Sequence, residues 1–423
     1  MNINEIKSAV LDGKFDDSFR LLYGETEVAR KRYADACDSF AALYPNSGEV
    51  RFFTAPGRTE VGGNHTDHQH GCVLAASVNL DVIAVVSENE DGIIRIKSEG
   101  YPEDCVEIGD LAKKENESGK AIALIRGVCH KFVEAGCELK GFNAYTTSNV
   151  LKGSGLSSSA AFEVLIGTIL NGMFFDNKIA PIEIAKIGQF AEREYFDKPC
   201  GLLDQMASSM GGFTYADFND PANPITESID LDITGYGYSL CFVETGGDHT
   251  NLTADYAGIT LECKAISEAL GVEFLRDANE EEFYSRIPEL REKCGDRAIL
   301  RAFHFFHEQQ RVEDQKTALQ KGDFAGFLKL VNGSGQSSFD YLQNLYSLSD
   351  VSMQGIPLGI AFTKDFLGEE GACRVHGGGF AGAVQCYIPT EKVAAFKEYS
   401  EKIFGKGNCH VLSIRPVGGY EVK

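Results

Sequence analysis

Between Lys152 and Ala161 the chain reads KGSGLSSSAA, two glycines and three consecutive serines directly ahead of an apolar run. Glycines let a backbone turn and approach a ligand closely, while serine hydroxyls and the free N–H groups at a helix start offer donors to an anion. The chemistry such a segment serves is phosphate binding. A Gly/Ser loop that ends in an ordinary serine cap is the plainer alternative. The segment is not a Walker A loop, because no Gly-Lys-Ser/Thr follows the first glycine at the required distance, and a Rossmann fingerprint fails as well.

Three further stretches concentrate reactive side chains. Residues 55–71, APGRTEVGGNHTDHQHG, pack Arg58, three histidines and Asp67 among glycines. The planar fork of Arg58 suits a phosphoryl group, and His65 and Asp67 can exchange hydrogen bonds with neighbouring hydroxyls, as a sugar requires. A solvated loop, or a transition-metal site on His65, His68 and His70, are the other readings of the same residues. Residues 191–212, AEREYFDKPCGLLDQMASSMGG, place Glu192 on a periodic helix and Asp204 near the start of the next one. A carboxylate at a helix N-terminus stays ionised, which suits a group that orients or accepts a hydroxyl proton; a helix cap is the simpler role. Residues 372–389, ACRVHGGGFAGAVQCYIP, hold a glycine cluster that permits close approach to a ligand or simply a tight turn.

The elements that must position these groups follow from periodicity. Residues 1 to about 48 look helical, and RFFTAPGR then shifts to strand character. VLAASVNLDVIAVVSE and GIIRIKSE read as strands, AIALIRGVCHKFVEAG as an amphipathic helix, and GFNAYTTSNV as a strand leading into the Gly/Ser loop. From Leu156, apolar residues recur near the 3.6-residue period and predict a buried helix. The turn-rich DFNDPANPITESIDLD marks a boundary, beyond which lie a strand at GYGYSLCFVET and three helical stretches within 253–345. GIPLGIAFT, AVQCYIP and HVLSIRPV read as strands. The expected division is a helical extension over 1–48, a first lobe over 49–225 and a second over 226–423, in an α+β fold without strict βαβ alternation.

Composition bounds the function. At 423 residues with 43% hydrophobic and 24% charged content, the chain is a globular protein of two or three domains. A net charge of −22 opposes nucleic-acid binding. No stretch reads as a membrane span, and the acidic start lacks the pattern of a secretory signal, so the expected location is the cytoplasm. Twelve cysteines, scattered without a CxxC, fit reduced thiols.

Taken in order, the four segments resemble those of the GHMP small-molecule kinases, and within them the galactokinases. GRTEVGGNHTDH at 57–68 is similar to the family form GRxNLIGEHTDY, LKGSGLSSSAA to its phosphate loop, with Leu151 where proline is common, and HGGGFAG to its C-terminal glycine run. PCGLLDQ is similar to PCGIMDQ, and DYAGITLEC at 255–263 to the family's serine-glutamate-tyrosine segment. The resemblance implies two lobes, the first like ribosomal protein S5 domain 2 and the second ferredoxin-like, with the site in the cleft. It implies transfer of the γ-phosphoryl group of ATP to the anomeric hydroxyl of galactose by a monomer. Asp204 would be the base or orienting group and Arg58 the stabiliser of the transferred group. Gly153, Ser154, Gly155, Leu156, Ser157, Ser158 and Ser159 would cradle ATP, and Ser158 and Glu192 would hold Mg²⁺. Asn64, His65, Asp67, Gly201 and Tyr256 would line the sugar pocket.

One departure bears on the substrate. The family carries glutamate where this chain has Asn64, and an amide there removes a charge that would repel an acidic sugar. Plant galacturonate kinases look similar in this region, so galacturonate competes with galactose. A non-catalytic sugar sensor is the alternative of another class, separable by turnover of Asp204→Asn.

Overall fold

The computed structural model describes residues 1–150, 155–247 and 252–423. Three helices open the chain, α1 (Ile3–Leu11), α2 (Asp16–Tyr23) and α3 (Glu27–Leu43). The first lobe continues with β1 (Val50–Gly62), β2 (Cys72–Glu88), β3 (Ile93–Ser98), β4 (Glu103–Glu107), α4 (Ala121–Glu134), β5 (Phe142–Ser148), α5 (Ser158–Phe174), α6 (Pro181–Phe190), α7 (Leu203–Met210), β6 (Phe213–Asp217) and β7 (Ile225–Ile229). Its sheet has eight strands in the order β12-β1-β2-β5-β3-β4, with β6 on the first half of β2 and β7 on β6; β12 is the C-terminal strand Tyr420–Val422. Among the described residues only β3 and β5 pair in parallel.

This sheet is covered on both faces, which is why β1 and β2 read as nearly unbroken apolar runs. Phe53, Ala55, Val82, Ala84 and Val86 face α4, α5 and α6, while Val50, Phe52, Ile83 and Val85 face α1 to α3. The alternation along each strand sorts its side chains between two cores.

The second lobe holds β8 (Tyr238–Gly246), α8 (Thr253–Ala269), α9 (Glu280–Ser285), α10 (Ile287–Cys294), α11 (Asp296–Gln320), α12 (Phe324–Ser337), α13 (Gly355–Leu367), β9 (Ala372–His376), β10 (Gly382–Pro389), α14 (Val393–Phe404) and β11 (Cys409–Leu412). Its four strands run β11-β8-β10-β9, all antiparallel. One face packs on α13 and α14 through Val243, Val375 and Cys386. The other joins Phe242, Leu240 and Tyr387 to α11, α12 and the first lobe's core.

Three expectations change. GIPLGIAFT is the helix α13, not a strand; its buried residues Ile356, Gly359, Thr363 and Leu367 fall at helical spacing, a pattern that a short apolar run hides. The region 253–345 holds five helices instead of three, divided where Pro288 opens α10 and Gly295 precedes α11. The break drawn at 225/226 cuts β7, which pairs with β6 in the first sheet, and β12 returns from the far end to pair with β1. Residues 225–229 and 420–422 therefore belong to the first lobe.

Candidate active site

A β-bulge between Pro56 and Arg58 turns the Arg58 side chain out of the regular β1–β2 register. Its guanidinium grips Asp204, in the first turn of α7, through Nε (2.7 Å) and Nη2 (2.6 Å) to Oδ1. Its Nη1 donates to the carbonyl of Gly155. Ser157 donates its hydroxyl to Asp204 Oδ2. It sits in the left-handed region at φ 56 and leaves α5 without a side-chain cap, so the serine serves the carboxylate instead of its own helix. The surrounding protein disfavours the charge of Asp204, yet the Arg58 guanidinium and the Ser157 hydroxyl outweigh that and hold the carboxyl below its ordinary range. Its side chain keeps 37% exposure, so the anion faces an open space.

Leu156 is fully buried and anchors the end of the Gly/Ser loop, where its carbonyl accepts from Arg58 N at 3.1 Å. Gly153 and Ser154 lie outside the described residues. Ser158 and Ser159 begin α5. Ser159, not Ser158, reaches the buried Glu192, its hydroxyl donating to Oε1 at 3.1 Å. Along a helix, neighbours in sequence point in different directions, and Ser159 is the residue whose direction meets the turn 191–195. Lys198 Nζ (2.6 Å) and Gln205 Nε2 (2.7 Å) complete the shell of Glu192. Gln205 also donates to Glu163 Oε2 at 3.0 Å, and burial together with the Glu192 charge pushes the Glu163 carboxyl well up. One carboxylate and one hydroxyl are hard oxygen donors that fit a small divalent cation.

Among the residues expected to line the sugar pocket, Gly201 lies against Asp67 so closely that a Cβ there would stand 1.8 Å from Oδ2, which explains the glycine. Three consecutive carbonyls of the glycine run accept from side chains of two distant segments: Gly377 from Asn64 Nδ2 (2.8 Å), Gly378 from His65 Nε2 (2.9 Å) and Gly379 from Tyr256 Oη (2.8 Å). Burial, reinforced by His68, brings His65 down to about 4, so its ring is neutral at physiological pH. His70, by contrast, stacks on Phe274 with ring centroids 3.6 Å apart.

Asn64 does not line the cleft. It is fully buried, and its amide is saturated: Nδ2 also donates to Glu60 Oε1 (2.9 Å), while Oδ1 accepts from Asn344 Nδ2 (2.7 Å) and, at greater length, Ser338 Oγ (3.3 Å). No capacity remains for a sugar hydroxyl. Helix α11 buttresses this segment, with His304 Nε2 at 3.0 Å from Asn64 O and Glu308 Oε1 accepting from Gly63 N at 3.1 Å. Residues His304 and Glu308, four apart, share one helix face.

Glu60 escaped the sequence reading although it stands inside the quoted motif. In GRTEVGGNHTDH the family's asparagine position holds Glu60 and its glutamate position holds Asn64, so the two residue types are exchanged. Glu60 pairs with the buried Arg374 at 2.7 Å. Lys198 and Gln205 likewise lay in quoted motifs, whereas nothing in the sequence marked Asn344.

A phosphate-type loop at an uncapped helix start, facing an arginine and an ionised aspartate between two α+β lobes, is the layout of a small-molecule kinase. Family models agree: the GHMP kinases N terminal domain matches residues 123–212, and the galactokinase galactose-binding signature matches 38–88. A galactokinase of Actinobacillus pleuropneumoniae is 30% identical over 372 residues, covering 87% of this chain and 90% of that protein. One of Streptomyces coelicolor is 30% identical, covering 87% and 92%. In three dimensions the Lactococcus lactis galactokinase complexed with galactose superposes with a TM-score of 0.76 at 24% identity, over 91% of this chain and 98% of that one. A mevalonate kinase gives 0.60 at 14% identity, over 86% and 98%. The fold is thus that of the GHMP kinases. Within them, the chain belongs to the galactokinase family, and it is an ATP-dependent sugar kinase.

Proposed function

We propose that the protein transfers the γ-phosphoryl group of ATP to the anomeric hydroxyl of galactose, giving α-galactose 1-phosphate and ADP. The observation that carries the reading is the Asp204, Arg58 and Ser157 cluster at Gly155, with Asp67 against Gly201 three residues upstream of Asp204. Phosphoryl transfer needs positioning and charge stabilisation more than covalent help from the protein. In this reading Asp204 holds the anomeric hydroxyl and receives its proton, Arg58 meets the negative charge on the transferred group, and the backbone from 155 to 159 cradles the phosphates. A Mg²⁺ ion, which neutralises phosphate charge when bound, would be held by Glu192 and Ser159. His65, Asp67 and Tyr256 take the sugar hydroxyls.

The case for galacturonate from Asn64 weakens, because that amide is enclosed by protein and already hydrogen-bonded. Among the described residues no helix is long and apolar enough to cross a membrane. The composition supports a cytoplasmic location. The test is ADP release with Mg-ATP and galactose, galacturonate, N-acetylgalactosamine, glucose and mevalonate in parallel. Galactose should give the highest kcat/KM. Turnover of galacturonate alone would overturn the substrate assignment, and no turnover with any sugar would return the sensor reading.

A further inference from the structure

His376 ends β9 and leads into the glycine run, so it comes to the cleft from the second lobe. It is only 2% exposed, and among the described residues neither ring nitrogen has a hydrogen-bond partner. Buried polar side chains are almost always paired, and an imidazole with two orphaned nitrogens calls for a partner that the described residues do not supply. The ring stands edge-on to Phe242 at 4.9 Å between centroids, which fixes its plane. Its Nδ1 lies 3.3 Å from where a Cβ on Gly155 would stand; burial, and after it Arg58, whose Nη1 meets the Gly155 carbonyl, disfavours a positive charge on the ring. Arg374 acts on it in the same sense from β9 itself. A neutral imidazole beside two guanidinium groups is therefore a directional donor at a place already electropositive.

That place is defined by the reaction. If the sugar hydroxyl sits at Asp204, the group it attacks must lie between Asp204 and the phosphate loop, where Arg58 and Gly155 meet. His376 borders the same spot from the opposite lobe. We propose that His376 is a binding residue for the γ-phosphoryl group of ATP, its ring N–H donating to a phosphoryl oxygen when the nucleotide joins the two lobes. The inference rests on the kinase reading but not on the identity of the sugar.

The test is calorimetric titration of AMPPNP and of ADP, each with Mg²⁺ and without sugar, into wild type, His376→Ala and His376→Gln. A charge-assisted hydrogen bond to the terminal phosphate predicts that His376→Ala weakens AMPPNP binding by about tenfold or more, while ADP affinity changes by less than about twofold. His376→Gln, which retains an N–H donor, should recover part of the loss. In wild type, ¹⁵N-labelled imidazole signals of His376 should shift with AMPPNP and not with ADP, an observation that stands even if the alanine variant fails to fold. Equal losses for both nucleotides would make His376 a packing residue, and unchanged AMPPNP affinity would equally overturn the proposal. Because no sugar is present, a protein that binds AMPPNP as expected yet ignores galactose would sink the substrate assignment alone.

Discussion

Ser157 gives its hydroxyl to Asp204 and leaves its own helix uncapped, so two preparations for the proposed reaction meet in one residue: an ionised carboxylate and free N–H groups at a helix start. The same carboxylate is held below its ordinary range by Arg58 against the effect of burial, so it stays charged throughout the neutral range, and in the proposed reaction it would serve first as an anchor for the hydroxyl. Asp204→Asn keeps the shape and one acceptor but removes the charge. Its kcat should fall by about 10²- to 10⁴-fold while AMPPNP binding by calorimetry stays within about threefold. Turnover near wild type would remove Asp204 from the mechanism. Glu192 tests the metal assignment separately. Glu192→Gln should raise the Mg²⁺ concentration for half-maximal rate by about tenfold, in line with loss of one charged oxygen ligand. An unchanged Mg²⁺ curve at saturating galactose and ATP would place the ion elsewhere.

At the scale of elements, Asp81 on β2 ties together parts of the chain that lie far apart in sequence. It is fully buried and accepts from Tyr23 Oη of α2 (2.7 Å), Arg32 of α3, Thr54 of β1 and Arg415 Nη1 (2.9 Å), the last just ahead of β12. Asp81→Asn would leave Arg415, itself wholly buried, without its counter-charge. Breaking a buried pair on one side costs about 3–5 kcal/mol, and urea unfolding should register that loss. A loss below about 1 kcal/mol would mean that the helical extension and the C-terminal strand are held by packing alone. The network also shows what the sequence could and could not say. Local periodicity was enough for α3, α4 and α5 and for β2, β5 and β8, because each carries its burial pattern within a few turns or pleats. The return of β12 to β1 and the attachment of β7 to β6 are choices of partner, which no local pattern encodes. The site divides the same way. Arg58, Asp67, Gly201 and Asp204 stand in short motifs whose neighbours place them. The enclosure of Asn64 depends on Ser338 and Asn344, the latter 280 positions away, and only the fold reveals it.

For the molecule as a whole, the two lobes meet through a buried ion pair, Glu60 of β1 with Arg374 of β9, bridged by Asn64 to the glycine run. Burial pushes the Glu60 carboxyl up to about 7, against the opposing pull of Arg374 and Arg58, and Asp67 adds to the rise. The sign of the pH effect follows from linkage. Between its ordinary value near 4.5 and about 7, the folded protein holds a proton on Glu60 that the unfolded chain has already released. This group's contribution to stability is therefore complete below pH 4.5 and is lost as pH rises through 7. The span corresponds to roughly 3 kcal/mol as an upper bound. Glu60→Gln removes that titration while keeping an acceptor for Arg374 and Asn64. Unfolding free energies of the wild type should fall more steeply from pH 5 to pH 8 than those of Glu60→Gln, by up to about 3 kcal/mol across the range. Parallel curves for the two proteins would show that Glu60 is ionised throughout and that the lobes are joined by a permanent ion pair. Curves that separate as the pH rises would show that one proton at the lobe junction sets how firmly the cleft is held.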